Sequence, residues 1–209
     1  RQAVYREPKD LAKEVRKMET YTLGYKFRIY PNRTQENLIN RTLGCARFVF
    51  NHFLAVRRDE WKANHNSLTY VKTSKLLTDL KKREETAWLS EADSMALQES
   101  LRNLDRAFQN FFAKRARYPR FTSKHSHSQS YRTRNQTNGI RIIDKRIKLP
   151  KIGLVRIKQS RDFDGRVLSA TVSRAASGKY YVSLCVEAEK ESLLCPNDGK
   201  QIGIDVGLK

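Results

Sequence analysis

One orphan strand constrains this fold more than any other feature. Residues 21–30 read YTLGYKFRIY. Tyr21, Leu23, Tyr25, Phe27 and Ile29 fall on one face, and Lys26 and Arg28 on the other. That period of two marks a half-buried strand. Pro31 ends it, because proline has no N–H for a ladder. The next long stretch runs at helical period, so the strand has no neighbour nearby. Its backbone groups need partners, and only strands far downstream can supply them. The expectation is a sheet interrupted by a helical insertion.

The insertion opens at Asn32, with Gln35 three residues on to complete a capping box. Leu38, Ile39, Leu43, Ala46, Val49, Phe50, Phe53 and Leu54 recur at helical spacing. This helix is expected to run to about Lys62, where ANHNS breaks it. LTYVKTSKLLTDLKKREE holds a shorter helix with Leu76, Leu77 and Leu80 inward. SEAD (90–93) offers cap chemistry for a third, from about Ser94 to Arg115. Leu97, Leu101, Leu104, Phe108 and Phe111 step by fours and threes, a seam for other helices. Residues 34–115 therefore read as a compact helical bundle.

Residues 115–139 are basic, rich in Ser, Thr, Asn and Gln, and lack a helical stripe. They read as an irregular region with a short strand near Ser130–Thr133. Period two then returns. IRIIDKRIKLP reads as a hairpin turning at Asp144-Lys145, and LVRIKQS as a strand. Asp164-Gly165 and Ser177-Gly178 each turn into a further strand. Several short antiparallel strands suggest a small barrel. CPNDGK (195–200) is a polar connection into IGIDVG, where the shift in composition marks a boundary. Met18 opens the first convincing strand, so residues 1–17 read as an upstream extension or a fragment edge.

Composition narrows the function. Lys and Arg number 42 against 22 Asp and Glu, a net of +20. A globular chain this basic usually meets a polyanion, the alternative being a charged surface tuned for solubility. The excess is concentrated: Lys114 to Arg161 holds fifteen Lys and Arg and one acid, Asp144. Arg117, Arg120, Lys124, Arg132 and Arg134 are the candidate phosphate contacts, with Tyr118, Phe121 and Tyr131 interleaved. Phe121 and Tyr131 read better as anchors of the loop than as stacking platforms. Gln98, on the polar side of the third helix, could pair with adenine, but such a residue is more often simply solvated. His125 and His127 read as surface residues. Cys45 and Cys185 lie on apolar faces. With Cys195 they form no CxxC pair, so no zinc site is expected from these thiols. An odd cysteine count without a secretion signal fits a reducing cytoplasm. No apolar run approaches the ~18 residues of a membrane span.

Asp205 follows a small apolar run in GIDVG. In ribonuclease H-like nucleases an acid on the first strand holds divalent metal. Two ions ~3.5–4 Å apart need several carboxylates, and Mg²⁺ takes oxygen ligands. A similar Asp-x-Gly strand meets phosphates in actin-like ATPases, and such an aspartate can also be purely structural.

Taken in order, the segments resemble one family. YKFRIYPNRTQENLINRTLGCARFVFNHFL, WLSEADSMALQESLRNLDRAFQNFF, YPRFTSKHSHSQSYRT, IKLPKIG and GIDVGLK are similar to the opening of TnpB proteins. These are transposon-encoded RNA-guided DNA nucleases, related to type V CRISPR effectors and often called transposases. The resemblance covers roughly residues 18–209. It implies an α+β fold in which an OB-like antiparallel β-barrel, the wedge domain, is interrupted by a helical recognition domain and followed by a RuvC-type ribonuclease H-like domain. On this chain that gives an extension at 1–20, the first barrel strand at 21–33, the helical domain at 34–115, the rest of the barrel at 116–195 and the start of the nuclease at 200–209.

The resemblance further implies a guide RNA derived from the transposon end and a double-stranded DNA target. By position, Tyr70, Ser74, Ser94, Met95 and Gln98 fall where the family contacts a short motif beside the target, with Gln136 in a loop of similar role. Asp205 sits at the first nuclease carboxylate, with Mg²⁺ as the family's metal. The family's second catalytic Glu, its final Asp and the cysteines of its zinc ribbon have no counterpart in these residues. The loop before YPRF is also short. The chain is therefore expected to bind nucleic acid and to be inactive alone as an endonuclease. The alternatives are a non-cleaving, repressor-like RNA- and DNA-binding protein or an accessory protein to a transposase. No catalytic Tyr or His pair in a fitting context supports a transposase in its own right.

Overall fold

A computed structural model describes residues 16–125, 129–136 and 138–193. Asp205 and the whole of 200–209, His127, Cys195 and residues 1–15 lie outside the described residues, so the expectations placed on them are not addressed by the fold.

The orphan strand finds its partners in the second half of the chain. Strand β1 (Arg16–Tyr30) pairs with β7 (Tyr180–Leu193) on one side and β5 (Gly153–Lys158) on the other, both antiparallel. With β2 (Gln129–Arg134), β3 (Arg141–Ile143), β4 (Arg146–Leu149) and β6 (Arg166–Arg174) they make one antiparallel sheet in the order β2-β6-β7-β1-β5-β4-β3. Helices α1 (Arg33–Asn64), α2 (Tyr70–Leu80) and α3 (Ser94–Phe112), with a 3-10 stretch at Glu84–Glu91, leave the sheet after β1 and return to it at β2.

The local signals behave as their chemistry requires. Asn32 Oδ1 accepts from Gln35 N at 2.8 Å, and Asn32 N donates to Gln35 Oε1 at 3.1 Å. The box therefore satisfies two amides at the start of α1. Gln35 also reaches the sheet, donating through Nε2 to Leu154 O at 2.8 Å. At the β3–β4 turn Asp144 and Lys145 both have positive φ, 44° and 58°. Such a two-residue turn twists as its strands do. Gly165 has φ +120°, and a Cβ there would lie 2.3 Å from Glu187 O, so only glycine suits the turn into β6.

α1 ties the two halves together. Its first turns bring Ile39, Leu43 and Ala46 into the sheet's core beside Phe27, Ile29, Val155 and Val182. Its later turns bring Val49, Phe53 and Leu54 into a second core with Leu77, Leu97, Leu101 and Leu104. α3 joins at both ends of this arrangement. Its N-cap Asp93 accepts from Met95 N through one carboxylate oxygen and from the buried hydroxyl of Thr133 on β2 through the other. Ser100 donates to Ala46 O at 2.6 Å, linking α3 to α1.

Four expectations change. The sheet is a curled half-barrel rather than a closed barrel, because β2 and β3 at its two ends share no ladder. The three-residue β3 is too short to complete one. Asn135 spans part of the gap, donating through Nδ2 to Ile140 O and Val167 O and accepting from Ile140 N. The apolar stripe of β1 is buried only at Phe27 and Ile29, while Tyr21 and Leu23 are each 39% exposed. β5 pairs with β1 only from Arg28 onward, so the earlier part of β1 is an edge of the sheet, paired with β7 alone. Leu76 faces solvent, because Thr73, Leu77 and Leu80 define the buried stripe of α2. α3 stops at Phe112, where the chain turns through Lys114 at φ 57°.

A pH dependence follows from the helical core. His52 stacks on Phe48 at 5.5 Å and meets Phe53 edge-on at 5.1 Å. Burial first, and the charge of Arg83 second, hold its pKa below the ordinary value of 6.5. The folded chain keeps His52 neutral where the unfolded chain would protonate it. That contribution is complete above the unfolded value and is lost as pH falls through it towards the lower folded value. Thermal melts are expected to show a fall in Tm from ~pH 7.5 to ~pH 5, and His52→Gln to lessen it.

Candidate nucleic-acid interface

The basic block resolves into two surfaces. The first is the segment 113–125 that follows α3. Asn51 on α1 pins it by donating through Nδ2 to Thr122 O and accepting from Thr122 N, at 3.0 and 2.8 Å. Pro119 is buried. Tyr118 packs edge-on to Phe108 and Phe111. The cations Arg117, Arg120 and Lys124 are all exposed on this strap, and none has an ion-pair partner among the described residues.

The second surface was not anticipated from the sequence. On β3, β4 and β5 the cations alternate with core residues. Ile147, Leu149, Val155 and Ile157 point inward, while Arg146, Lys148, Arg156 and Lys158 point out. Register then sets like charges directly opposite one another: Arg28 faces Lys158, Arg146 faces Arg156, and Arg141 faces Lys148. No acid occurs in β3, β4 or β5. Tyr30 lies within this face, with the guanidinium of Arg28 4.8 Å and that of Arg156 5.8 Å from its ring centre. Tyr181, opposite Arg28 on β7, continues the surface, with Lys26 Nζ 5.0 Å from its ring centre. Like charges opposed across strands destabilise a sheet. The i, i+2 spacing at 146/148 and 156/158 was the available signal, but it singles out one face only once the strands are in register.

Arg132 and Arg134 are differently employed. Arg132 donates to Ser169 Oγ through Nε and Nη2, at 3.2 and 2.9 Å. Arg134 Nε lies 2.6 Å from Glu99 Oε1, whose side chain is buried in α3. A buried carboxylate needs such a partner, so Arg134 helps to hold β2 to the helix. Tyr131 is buried, as an anchor requires, and burial pushes its phenol pKa up. Phe121 is 53% exposed and carries the Arg58 guanidinium 5.7 Å from its ring centre, so it does not anchor the loop in the core.

The six residues expected to contact a target-adjacent motif lie on α2, on α3 and in the loop after β2. Tyr70 and Ser74 sit one turn apart on α2, and Ser94, Met95 and Gln98 occupy the first turns of α3. The two helices touch at both ends of this region. Arg102 lies 4.7 Å from the ring centre of Tyr70, and Lys81 Nζ lies 3.4 Å from Ser94 Oγ. Ser94 is exposed, and Tyr70, Ser74, Met95 and Gln98 are half-buried. Gln136 is exposed two residues beyond Arg134, where β2 leaves α3. Among the described residues no group of three His, Cys, Asp or Glu side chains could hold a metal ion. No helix of the described residues is long and apolar enough to cross a membrane.

Comparison with known proteins agrees with a nucleic-acid role. A family model described as a helix-turn-helix domain matches residues 18–66. Here those residues form a strand and one continuous helix, so the segment presents no pair of helices to a groove. Two long relatives are named as RNA-guided DNA endonucleases. InsQ of Escherichia coli K12 is 36% identical over 187 residues, 88% of this chain and 45% of that protein. A protein of Streptomyces pristinaespiralis is 36% identical over 197 residues, 91% of this chain and 47% of its own length. The chain thus spans about half the length of these relatives. The virulence protein VsdF of Salmonella dublin is 37% identical over 106 residues, 46% of this chain and 89% of that protein.

Proposed function

We propose, for a chain that belongs to the TnpB family, that it forms the nucleic-acid-binding portion of an RNA-guided DNA endonuclease. The curled sheet with its helical insertion serves as the OB-like wedge and the recognition domain. The outward face of β1, β5, β4 and β3 and the strap at 113–125 hold the phosphates of a structured guide RNA derived from the transposon end. The α2–α3 face carrying Tyr70, Ser74, Ser94, Met95 and Gln98, with Gln136 beside it, reads a short motif in double-stranded target DNA.

Three directly opposed cation pairs support this reading most strongly. A sheet that sets Arg28 against Lys158, Arg146 against Arg156 and Arg141 against Lys148 accepts repulsion that a bound polyanion relieves. The cations of this face would displace counterions condensed on the RNA, so the affinity would depend steeply on salt. Cleavage belongs to a RuvC-type centre in which Asp205 is the first carboxylate and Mg²⁺ the metal. The described residues contribute no carboxylate cluster to it.

The test is to purify the chain at low salt, identify the nucleic acid that accompanies it, and titrate its affinity for that RNA against salt. The reading expects structured RNA and a slope of several units on a double-logarithmic plot. Recovery free of RNA, with affinity indifferent to salt, would contradict it. Cleavage of DNA by this chain with guide and Mg²⁺ supplied would show that it carries more than the binding half.

A further inference from the structure

The end of the helical unit away from the sheet carries a feature that phosphate binding leaves unused. The last turns of α1 and α3 and the strap beyond α3 border a cleft of about 560 Å³ whose lining includes five aromatic residues. Trp61, Phe112 and Tyr118 are 54%, 68% and 42% exposed there. Their packing is one-sided. Phe112 stacks on buried Phe108 at 6.3 Å, and Tyr118 meets Phe108 and Phe111 edge-on at 5.6 and 5.3 Å. Three large rings left open around one cleft go beyond the single apolar residues scattered on ordinary surfaces.

Charge identifies the occupant. Arg57 in the lining is neutralised by Asp105 at 3.0 Å, and Arg58 by Asp59 at 2.9 Å. Lys62 on α1 and Lys114, Arg115 and Arg117 just after α3 have no ion pair among the described residues. Ring faces bordered by free cations suit a base whose own phosphates lie alongside. The lip adds polar groups of the right kind. Asn66 donates through Nδ2 to Glu60 Oε1 at 3.2 Å, which leaves its carbonyl oxygen free to accept from a ribose 2′-hydroxyl, and Ser67 lies beside it.

We infer that this cleft captures an unpaired base of a single-stranded RNA segment, a purine being favoured by its larger ring. The inference rests on the reading of the chain as an RNA binder, and adds to it a base-stacking contact beside the strap.

The probe is a single-stranded oligoadenylate RNA carrying one 2-aminopurine, titrated with the whole chain. Stacking in the cleft quenches its fluorescence. Trp61→Ala with Phe112→Ala is expected to abolish most of the quenching and weaken binding about tenfold. The salt slope should stay the same, because no cation is removed. Both side chains are largely exposed, so the melting temperature should hold. If it does not, Trp61→Phe decides, since it keeps a ring and should keep the quenching. Undiminished quenching and affinity in the double alanine variant would overturn the inference, as would loss of quenching in Trp61→Phe. Equal binding and quenching with the matching deoxy-oligomer would overturn its assignment to RNA. In each of these cases binding of structured RNA by the unaltered chain would persist; its absence would instead remove the parent reading.

Discussion

Converting Arg146, Lys148 and Arg156 together to alanine is expected to weaken structured-RNA binding on the order of 10²-fold near 0.1 M salt and to lower the salt slope by about three units. All three side chains are exposed on the outward face. Each stands against another cation or beside one across the ladder. If each contacts one phosphate, each removes about one released counterion. Stability should respond in the opposite sense. Losing the Arg146–Arg156 opposition relieves repulsion of roughly 0.2–1 kcal/mol, so the variant should melt no lower than the parent. That split separates a binding surface from a structural one. A variant that unfolds earlier while keeping its RNA slope would mean that these cations serve the sheet. Arg134→Ala should behave differently, losing stability because it strips the buried Glu99 of the nearer of its two cations, leaving only Arg102 Nε at 3.3 Å.

Asp93→Ala should cost about 2–4 kcal/mol of folding stability, through loss of a helix cap and of a buried hydrogen bond. One carboxylate oxygen caps α3 at Met95 N, and the other receives the hydroxyl of Thr133, which is 1% exposed. Removing the carboxylate leaves that hydroxyl buried without its acceptor. For a chain of this size a loss of that order lowers Tm by roughly 5–15 °C. Urea titration would partition it. Asp93→Ser should recover the cap but not the reach to β2, and so fall between parent and alanine. In a double-mutant cycle with Thr133→Val the two effects should couple strongly. The same contact orients the first turns of α3 on the sheet, so its loss should also disturb any DNA motif read by Ser94, Met95 and Gln98. Additive single effects would mean that the two groups act independently.

Local chemistry was legible in the residues and long-range chemistry was not. The Asn32–Gln35 box, the Asp144-Lys145 turn and the buried residues of α1 each depend on neighbours within a few positions. The pairing of β1 with later strands could be argued because a lone strand leaves its backbone unsatisfied. Openness of the sheet could not, since it depends on how short β3 proves to be and on Asn135 bridging to Ile140 and Val167. Tyr21 and Leu23 look like core in alternation, yet β5 does not reach them. Arg134 looked like a free cation because Glu99 lies thirty-five residues earlier. The opposed cations of β1, β3, β4 and β5 were visible singly, but their juxtaposition is a property of register.

On the reading proposed above, RNA lies along the outward face of the sheet. Ultraviolet cross-linking of the bound RNA, followed by mass-spectrometric mapping, reads this position by position. Cross-links are expected at Tyr30 and Tyr181, the two rings set among the outward cations of the sheet. Recovery of RNA cross-linked elsewhere on the chain, with both tyrosines unmodified, would contradict it.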